Sequence, residues 1–139
     1  MLSKLEVGEK EAALAIKAIR DELVRRNKAA VIAVADSHGE LISLLRMDGA
    51  PVPSVQVATR KCWTAARERS TTRDLGRSFQ DKGWQMLNSD VRYTGWGGGV
   101  PVRVKGEVVG SVSVSGLDQD EDEDLARMGV ARIEELAGG

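Results

Sequence analysis

Cysteine occurs once in this 139-residue chain, at Cys62, so no intrachain disulfide can form and no thiolate-cluster metal site can be built. Histidine also occurs once, at His38, and one imidazole cannot supply the three or four protein ligands of an ordinary metal site. Neither sign of charge dominates: 20 Lys+Arg against 21 Asp+Glu leave a net charge of −1. A nucleic-acid binder needs a basic face, so no nucleic-acid partner is expected. No apolar run approaches the ~20 residues of a membrane span. The opening MLSKLEVGEKEAALAIK has no uninterrupted apolar stretch of the kind a signal peptide requires. These absences predict a protein with no membrane partner, and a cytoplasmic location fits them.

What remains is the balance of an ordinary globular domain, with 42% hydrophobic and 29% charged residues. The length predicts a single domain over residues 1–139 with a proper core. Residues 8–27 read as a helix, with Leu14, Ile16, Ile19 and Leu23 at nearly helical spacing. The continuously apolar AAVIAVAD (29–36), the turn SHGE and ELISLLRMD (40–48) predict an antiparallel hairpin. Ser54 reads as the N-cap of a helix over 55–69, with Val55, Ala58, Cys62 and Ala65 on one face. A short helix is expected near 73–80, followed by a less regular stretch to Asn88. From Val91 the chain becomes glycine-rich, with seven of its 15 glycines between Gly95 and Gly116. VPVRVKGEVVGSVSVSG alternates about Lys105-Gly106 and predicts a second hairpin. An acidic run, DQDEDEDL, then opens a last helix through about Leu136, with Leu125, Met128 and Ile133 on its apolar side; acids suit the positive end of a helix dipole. The order predicts an α+β domain with an antiparallel sheet and helices packed on it.

Gly97, Gly98 and Gly99 stand in succession, so the backbone there can adopt positive φ or approach another group closely. Two readings follow: a ligand cradle of exposed N–H groups, or a sharply bent strand entry. No GxGxxG or P-loop order is present, so this is not a nucleotide fingerprint. Four blocks around it carry a family resemblance: VIAVADSHGELISLLRMDGAP, KCWTAA (61–66), GGGVPV (97–102) and GEVVGSVSVSGLDQDEDEDLA. In that order and spacing, over about residues 29–126, they resemble the GlcG/HbpS-like family, the so-called heme-degrading domain. One departure is Ser113, which stands where the family pattern has glycine. The resemblance implies a profilin-like fold, a five-stranded antiparallel sheet flanked by helices, in a homo-oligomer. It also implies a small-molecule ligand, with heme a candidate cofactor, and an accessory or sensory role in a catabolic or redox pathway.

Candidate ligand-binding residues gather around this segment. Arg46 and Lys61 are cations suited to a carboxylate or a heme propionate, arginine through a two-pronged grip. Asp48 reads as Arg46's partner or as a turn cap. Trp96, beside Gly97, Gly98 and Gly99, could face a flat ligand or a subunit contact. His38 reads as a solvated turn residue or an iron ligand, and Cys62 as a buried small hydrophobe. Arg103 should point away from the face of Val102 and Val104. The acidic run from Asp118 reads as a solvated helix start, since it lacks calcium-loop spacing. An alternative function is a small cofactor-independent enzyme, an isomerase, tautomerase or lyase. There Arg46 and Lys61 would hold a carboxylated metabolite, and Asp48 or Asp36 would move a proton.

Overall fold

A computed structural model describes residues 1–82 and 89–138 of the chain. In chain order they form α1 (Glu9–Arg25), β1 (Val31–Asp36), β2 (Leu41–Arg46), α2 (Ser54–Glu68), α3 (Thr72–Lys82), β3 (Gly99–Val104), β4 (Glu107–Ser115) and α4 (Gln119–Gly138). The expected irregular stretch to Asn88, with Trp84, lies largely outside the described residues.

Both expected hairpins form, β1 with β2 and β3 with β4, and β1 pairs antiparallel with β4 to give one sheet in the order β2-β1-β4-β3. Lys105 and Gly106 turn the second hairpin with φ of 53° and 81°, the left-handed pair that suits a two-residue connection. The sheet has four strands among the described residues, not the five implied by the family resemblance. Only four segments of the sequence carry strand patterning. At the far end of β4 the chain offers a single backbone hydrogen bond, from Val7 N–H to the Val109 carbonyl at 2.9 Å, in place of a fifth strand.

The two faces of the sheet differ in bulk. One presents Ile32, Val34, Val100, Val102, Val112 and Val114 to α1 and α4, and these form the main core with Ile16, Ile19, Leu23, Leu125 and Ile133. The other presents Val31, Ala33 and Ala35 to Ala58 and Cys62 of α2. On that thin face two serines replace apolar contacts. Ser111 Oγ donates to the Cys62 carbonyl and Ser113 Oγ to the Ala58 carbonyl, each at 2.6 Å. Buried hydroxyls are thereby satisfied and α2 is drawn close to the strands. β1, covered on both sides, is the apolar run expected of a doubly buried strand.

The helix boundaries shift by small amounts with physical reasons. Ser54 is the first residue of α2 rather than its cap, because Pro53 occupies the cap position and Ser54 makes no capping bond. The buried stripe of α1 is Ala12, Ala15, Ile16, Ile19 and Leu23, while Leu14 lies at its margin. In α4, Leu125 and Ile133 are buried and Met128 lies on the outer side. No helix among the described residues is long and apolar enough to cross a membrane.

Candidate functional site

The block KCWTAA works as a fastening strip. Lys61, the eighth residue of α2, is 2% exposed; its Nζ lies 3.1 Å from Asp122 Oδ2 and donates to the Val114 carbonyl at 3.0 Å. Asp122 Oδ1 accepts the Leu117 N–H at 3.0 Å, so both carboxylate oxygens are engaged. Burial pushes the Lys61 ammonium down and the Asp122 carboxyl up from their ordinary values, and the mutual attraction opposes both shifts. One turn on, Thr64 Oγ1 donates to the Arg92 carbonyl and accepts the Thr94 N–H, each at 3.2 Å. Trp63 is gripped by Arg92 and Arg67, whose guanidinium carbons lie 4.3 and 5.0 Å from its ring centre, and by the Tyr93 ring at 4.9 Å. The strip thus pins segment 92–94, the entry to β3 and the start of α4 onto one helix.

The three glycines lie at the crossing of these ties. Gly98 has φ of +130°, and a β-carbon there would sit 2.6 Å from the Val114 carbonyl and 2.7 Å from Lys61 Nζ. A β-carbon at Gly99 would sit 2.6 Å from the Lys61 carbonyl. What approaches the glycines so closely is the protein itself. Two of their three N–H groups are engaged too: Gly97 donates to Gln119 Oε1 at 2.7 Å and Gly99 to Thr72 Oγ1 at 2.9 Å. The bent strand entry, one of the two readings of the glycines, describes this geometry.

An open cleft of about 540 Å³ lies on the outer side of that crossing, between α2, α3 and segment 93–96, within the usual size range of small-molecule sites. Arg60, Arg73 and Arg77 line it, with Phe79, Tyr93 and Trp96 as aromatic surfaces, and among the described residues no acidic side chain lines it. Trp96 is 61% exposed. α3 reaches the cleft by crossing segment 93–96 at Gly76 and Gly95; a β-carbon on Gly76 would fall 2.2 Å from the Gly95 carbonyl oxygen. The arginines differ in their partners. Arg73 pairs with Asp120, and Arg77 lies 3.7 Å from Asp74. Arg60 donates to the Tyr93 carbonyl at 3.0 Å, has no acidic partner among the described residues, and its buried Nε has no hydrogen-bond partner there.

The residues singled out in the sequence divide into three groups. Lys61, Gly97, Gly98 and Gly99 are brought together beneath the cleft, and Trp96 lines it. Arg46 and Asp48 are exposed and form no ion pair with each other. Arg46 pairs with Val31, which pairs with Ser115, so it lies three strand spacings of about 4.8 Å, roughly 14 Å, from the β3 edge. Lys61 is neither on a solvated helix face nor free for an intersubunit bridge, because Asp122 holds it inside one chain. The acidic run is likewise not wholly solvated: Asp122 is 2% exposed. His38 is exposed in its turn, where Asp36 Oδ1 accepts its N–H and that of Glu40. That bonding occupies Asp36 as a turn residue. Arg103 leaves the valine face as expected and donates to the Arg69 carbonyl at 2.6 Å. Arg60, Arg73, Arg77 and Gln119 were missed. The one available signal was the i,i+4 spacing of Arg73 and Arg77, which places them on one side of a helix.

One four-stranded antiparallel sheet with helices on both faces, carrying an arginine-lined cleft beside a glycine-bent strand entry, defines an α+β class of architecture. The model of the family described as "Haem degrading protein HbpS-like" matches residues 7–131, and the chain belongs to that family. Protein GlcG of Escherichia coli K12 is 31% identical over 115 residues, covering 83% of this chain and 85% of that protein. The crystal structure of Klebsiella pneumoniae protein ORFY superposes with a TM-score of 0.90 at 25% identity, over 96% of this chain and 94% of that one. A crystal structure described as a PduOC:heme complex superposes with a TM-score of 0.85 at 21% identity, over 92% and 95% of the two chains, and so shares the fold.

Proposed function

We propose that the chain is a small-molecule-binding protein, accessory or sensory in a catabolic or redox pathway, and that the cleft between α2, α3 and segment 93–96 holds its ligand. The observation that carries this reading is the lining: three guanidinium groups, three aromatic rings and, among the described residues, no carboxylate. Such a surface recognises a flat molecule bearing carboxylates. Heme is the first candidate, supported by the family's description and by the heme named with PduOC. The residues fit its periphery. Arg60 and Arg73 would hold propionates, and Trp96 and Phe79 would flank the ring. No imidazole, thiol or thioether lines the cleft among the described residues, so the fit is to the macrocycle and its carboxylates rather than to iron. His38 borders a neighbouring hollow that shares Tyr93 with the cleft.

In the same reading the protein is cytoplasmic and works as a homo-oligomer. Exposed Trp96, Val91 and Leu41 supply apolar contact surface. The sheet edges support it as well. The outward N–H groups of β3 go to Thr72 Oγ1 at Gly99 and to Glu134 Oε1 at Arg103, and Pro101 between them has none. β2 is the other edge, and among the described residues no side chain caps its outward N–H groups in the same way.

Hemin titration followed by the visible spectrum tests the ligand. A Soret shift saturating at micromolar hemin is expected. Arg60→Ala should weaken it by about tenfold or more, the value of a charge-assisted hydrogen bond of about 1.5–3 kcal/mol, with a melting temperature only a few degrees lower from the lost bond to the Tyr93 carbonyl. A silent spectrum, or an Arg60→Ala variant that binds as wild type, places the site elsewhere.

A further inference from the structure

The three cleft arginines are not equally open to a ligand, and the difference lies in a residue that contributes nothing to the lining itself. Asp120 sits in the first turn of α4 with its side chain 75% exposed, yet it pairs with Arg73, whose side chain is 31% exposed. Its backbone is fixed from two directions. Next to it, Gln119 Oε1 accepts the Gly97 N–H at 2.7 Å. Two residues on, Asp122 is anchored by Lys61 at 3.1 Å and its N–H donates to the Asp118 carbonyl at 2.8 Å. The helix start therefore cannot drift from the cleft mouth, but the Asp120 side chain can rotate into solvent.

We infer that Asp120 is a specificity-determining residue of the cleft: its carboxylate occupies on Arg73 the place of a ligand carboxylate, and a ligand must displace it to use that guanidinium. The inference rests on the reading of the cleft as the ligand site and adds the class of ligand it selects. Arg60, with no acidic partner among the described residues, takes a first carboxylate without competition from a side-chain carboxylate. A second carboxylate on the same edge of a flat molecule meets Arg73 already paired. The cleft as built thus favours one strong carboxylate anchor and holds the second in exchange with Asp120, so the preference for planar dicarboxylates over monocarboxylates is set by this one side chain. Asp74 beside Arg77 is a weaker version, at 3.7 Å with both side chains about two-thirds exposed.

The test is hemin titration of wild type, Asp120→Asn and Arg60→Ala, repeated with hemin dimethyl ester, in which both carboxylates are blocked. Asp120→Asn keeps the size of the side chain and removes its charge. It should bind hemin about two- to fivefold more tightly than wild type, the range spanned by an exposed ion pair, and should bind the diester no better. Wild-type hemin binding should weaken with salt more steeply than that of the diester. Equal hemin affinity in wild type and Asp120→Asn, with Arg60→Ala still weakened, overturns the role of Asp120 and leaves the cleft as the ligand site. An equal gain for the diester also overturns it, because the gain would not come from carboxylates. Absence of hemin binding in all variants overturns both readings.

Discussion

Cutting the Lys61–Asp122 pair from one side should be far more damaging than removing it whole. Both side chains are 3% exposed, and the contact is 3.1 Å. In Lys61→Met the Asp122 carboxylate keeps only backbone N–H groups, those of Leu117 and Gly116, and a buried charge loses its counter-ion. In Asp122→Asn the ammonium keeps the Val114 carbonyl and a neutral amide. Removing one partner of a buried pair costs about 3–5 kcal/mol, whereas exchanging both for neutral groups of similar size is often near neutral. Each single variant should therefore lose about 3–5 kcal/mol. For a chain of this size that is roughly 10–20 °C in melting temperature, taking about 3–5 °C per kcal/mol from the size scaling. Asparagine can still accept the Leu117 N–H, and methionine matches the lysine stem in length. The double variant should consequently lose less than the sum of the singles by about 2 kcal/mol or more. Urea denaturation followed by circular dichroism, with the denaturant slope checked for constancy, measures all four corners. Singles that lose under about 1 kcal/mol, or a double that is simply additive, would show that the two charges are not coupled in the way their geometry implies.

Gly99→Ala should cost about 1–3 kcal/mol, since its β-carbon would lie 2.6 Å from the Lys61 carbonyl and no flexible group can yield; thermal melts check this. The Cys62 thiol, pushed up to about 12 by burial, should be inert to an aromatic disulfide reagent at pH 8 in the native protein and react on addition of denaturant. Glu22, bound by Arg25 and Arg26, and Asp90, bound by Arg92, are each held down at about 2, against ordinary values of 4.5 and 3.8. Between about pH 2 and 4.5 the unfolded chain binds more protons, so the stabilisation these groups give above that window is lost as the pH falls through it. Melting temperature measured from pH 5 to pH 2 should drop, and less so at high salt. Light scattering at micromolar concentration should give a mass well above the 15.0 kDa of one chain, and a clean monomer would remove the homo-oligomer reading.

The hairpins and the amphipathic helices were legible because their signals are local: alternation, left-handed turn residues and helical spacing act within a few residues of one another. The same is true of Arg103, whose direction follows from the strand period alone. What was not legible is what the fold brings together from afar. Lys61 and Asp122 are 61 residues apart, and a lysine amid charged neighbours on a helix reads as solvated until its partner's position is known. The acidic run hid Asp122 for the same reason, because one member of six was turned inward. Arg60, Arg73 and Arg77 come from two helices and acquire meaning only through the Gly76–Gly95 crossing that sets those helices around a cleft. The glycine triplet was visible as a place of close approach, but nothing local says whether a ligand or the chain's own backbone approaches.

The thin face of the sheet gives the cleft an adjustable back wall. Ser113 occupies a position where the family resemblance has glycine, and its hydroxyl meets the Ala58 carbonyl, one turn before Lys61, which holds Asp122, and nearly two turns before Thr64, which fastens segment 92–94. A side chain of one carbon and one oxygen acts there as a shim under α2. Removing it would let the helix settle toward the strands, and enlarging it would lift the helix away. Arg60 rides on that helix, two residues from the shimmed carbonyl, while Arg73 is tied to α4 and does not. The spacing between the two guanidinium groups is thus exposed to change from the far side of α2, at a residue no ligand touches. Relatives that share every cleft residue could in this way differ in the ligand they accept.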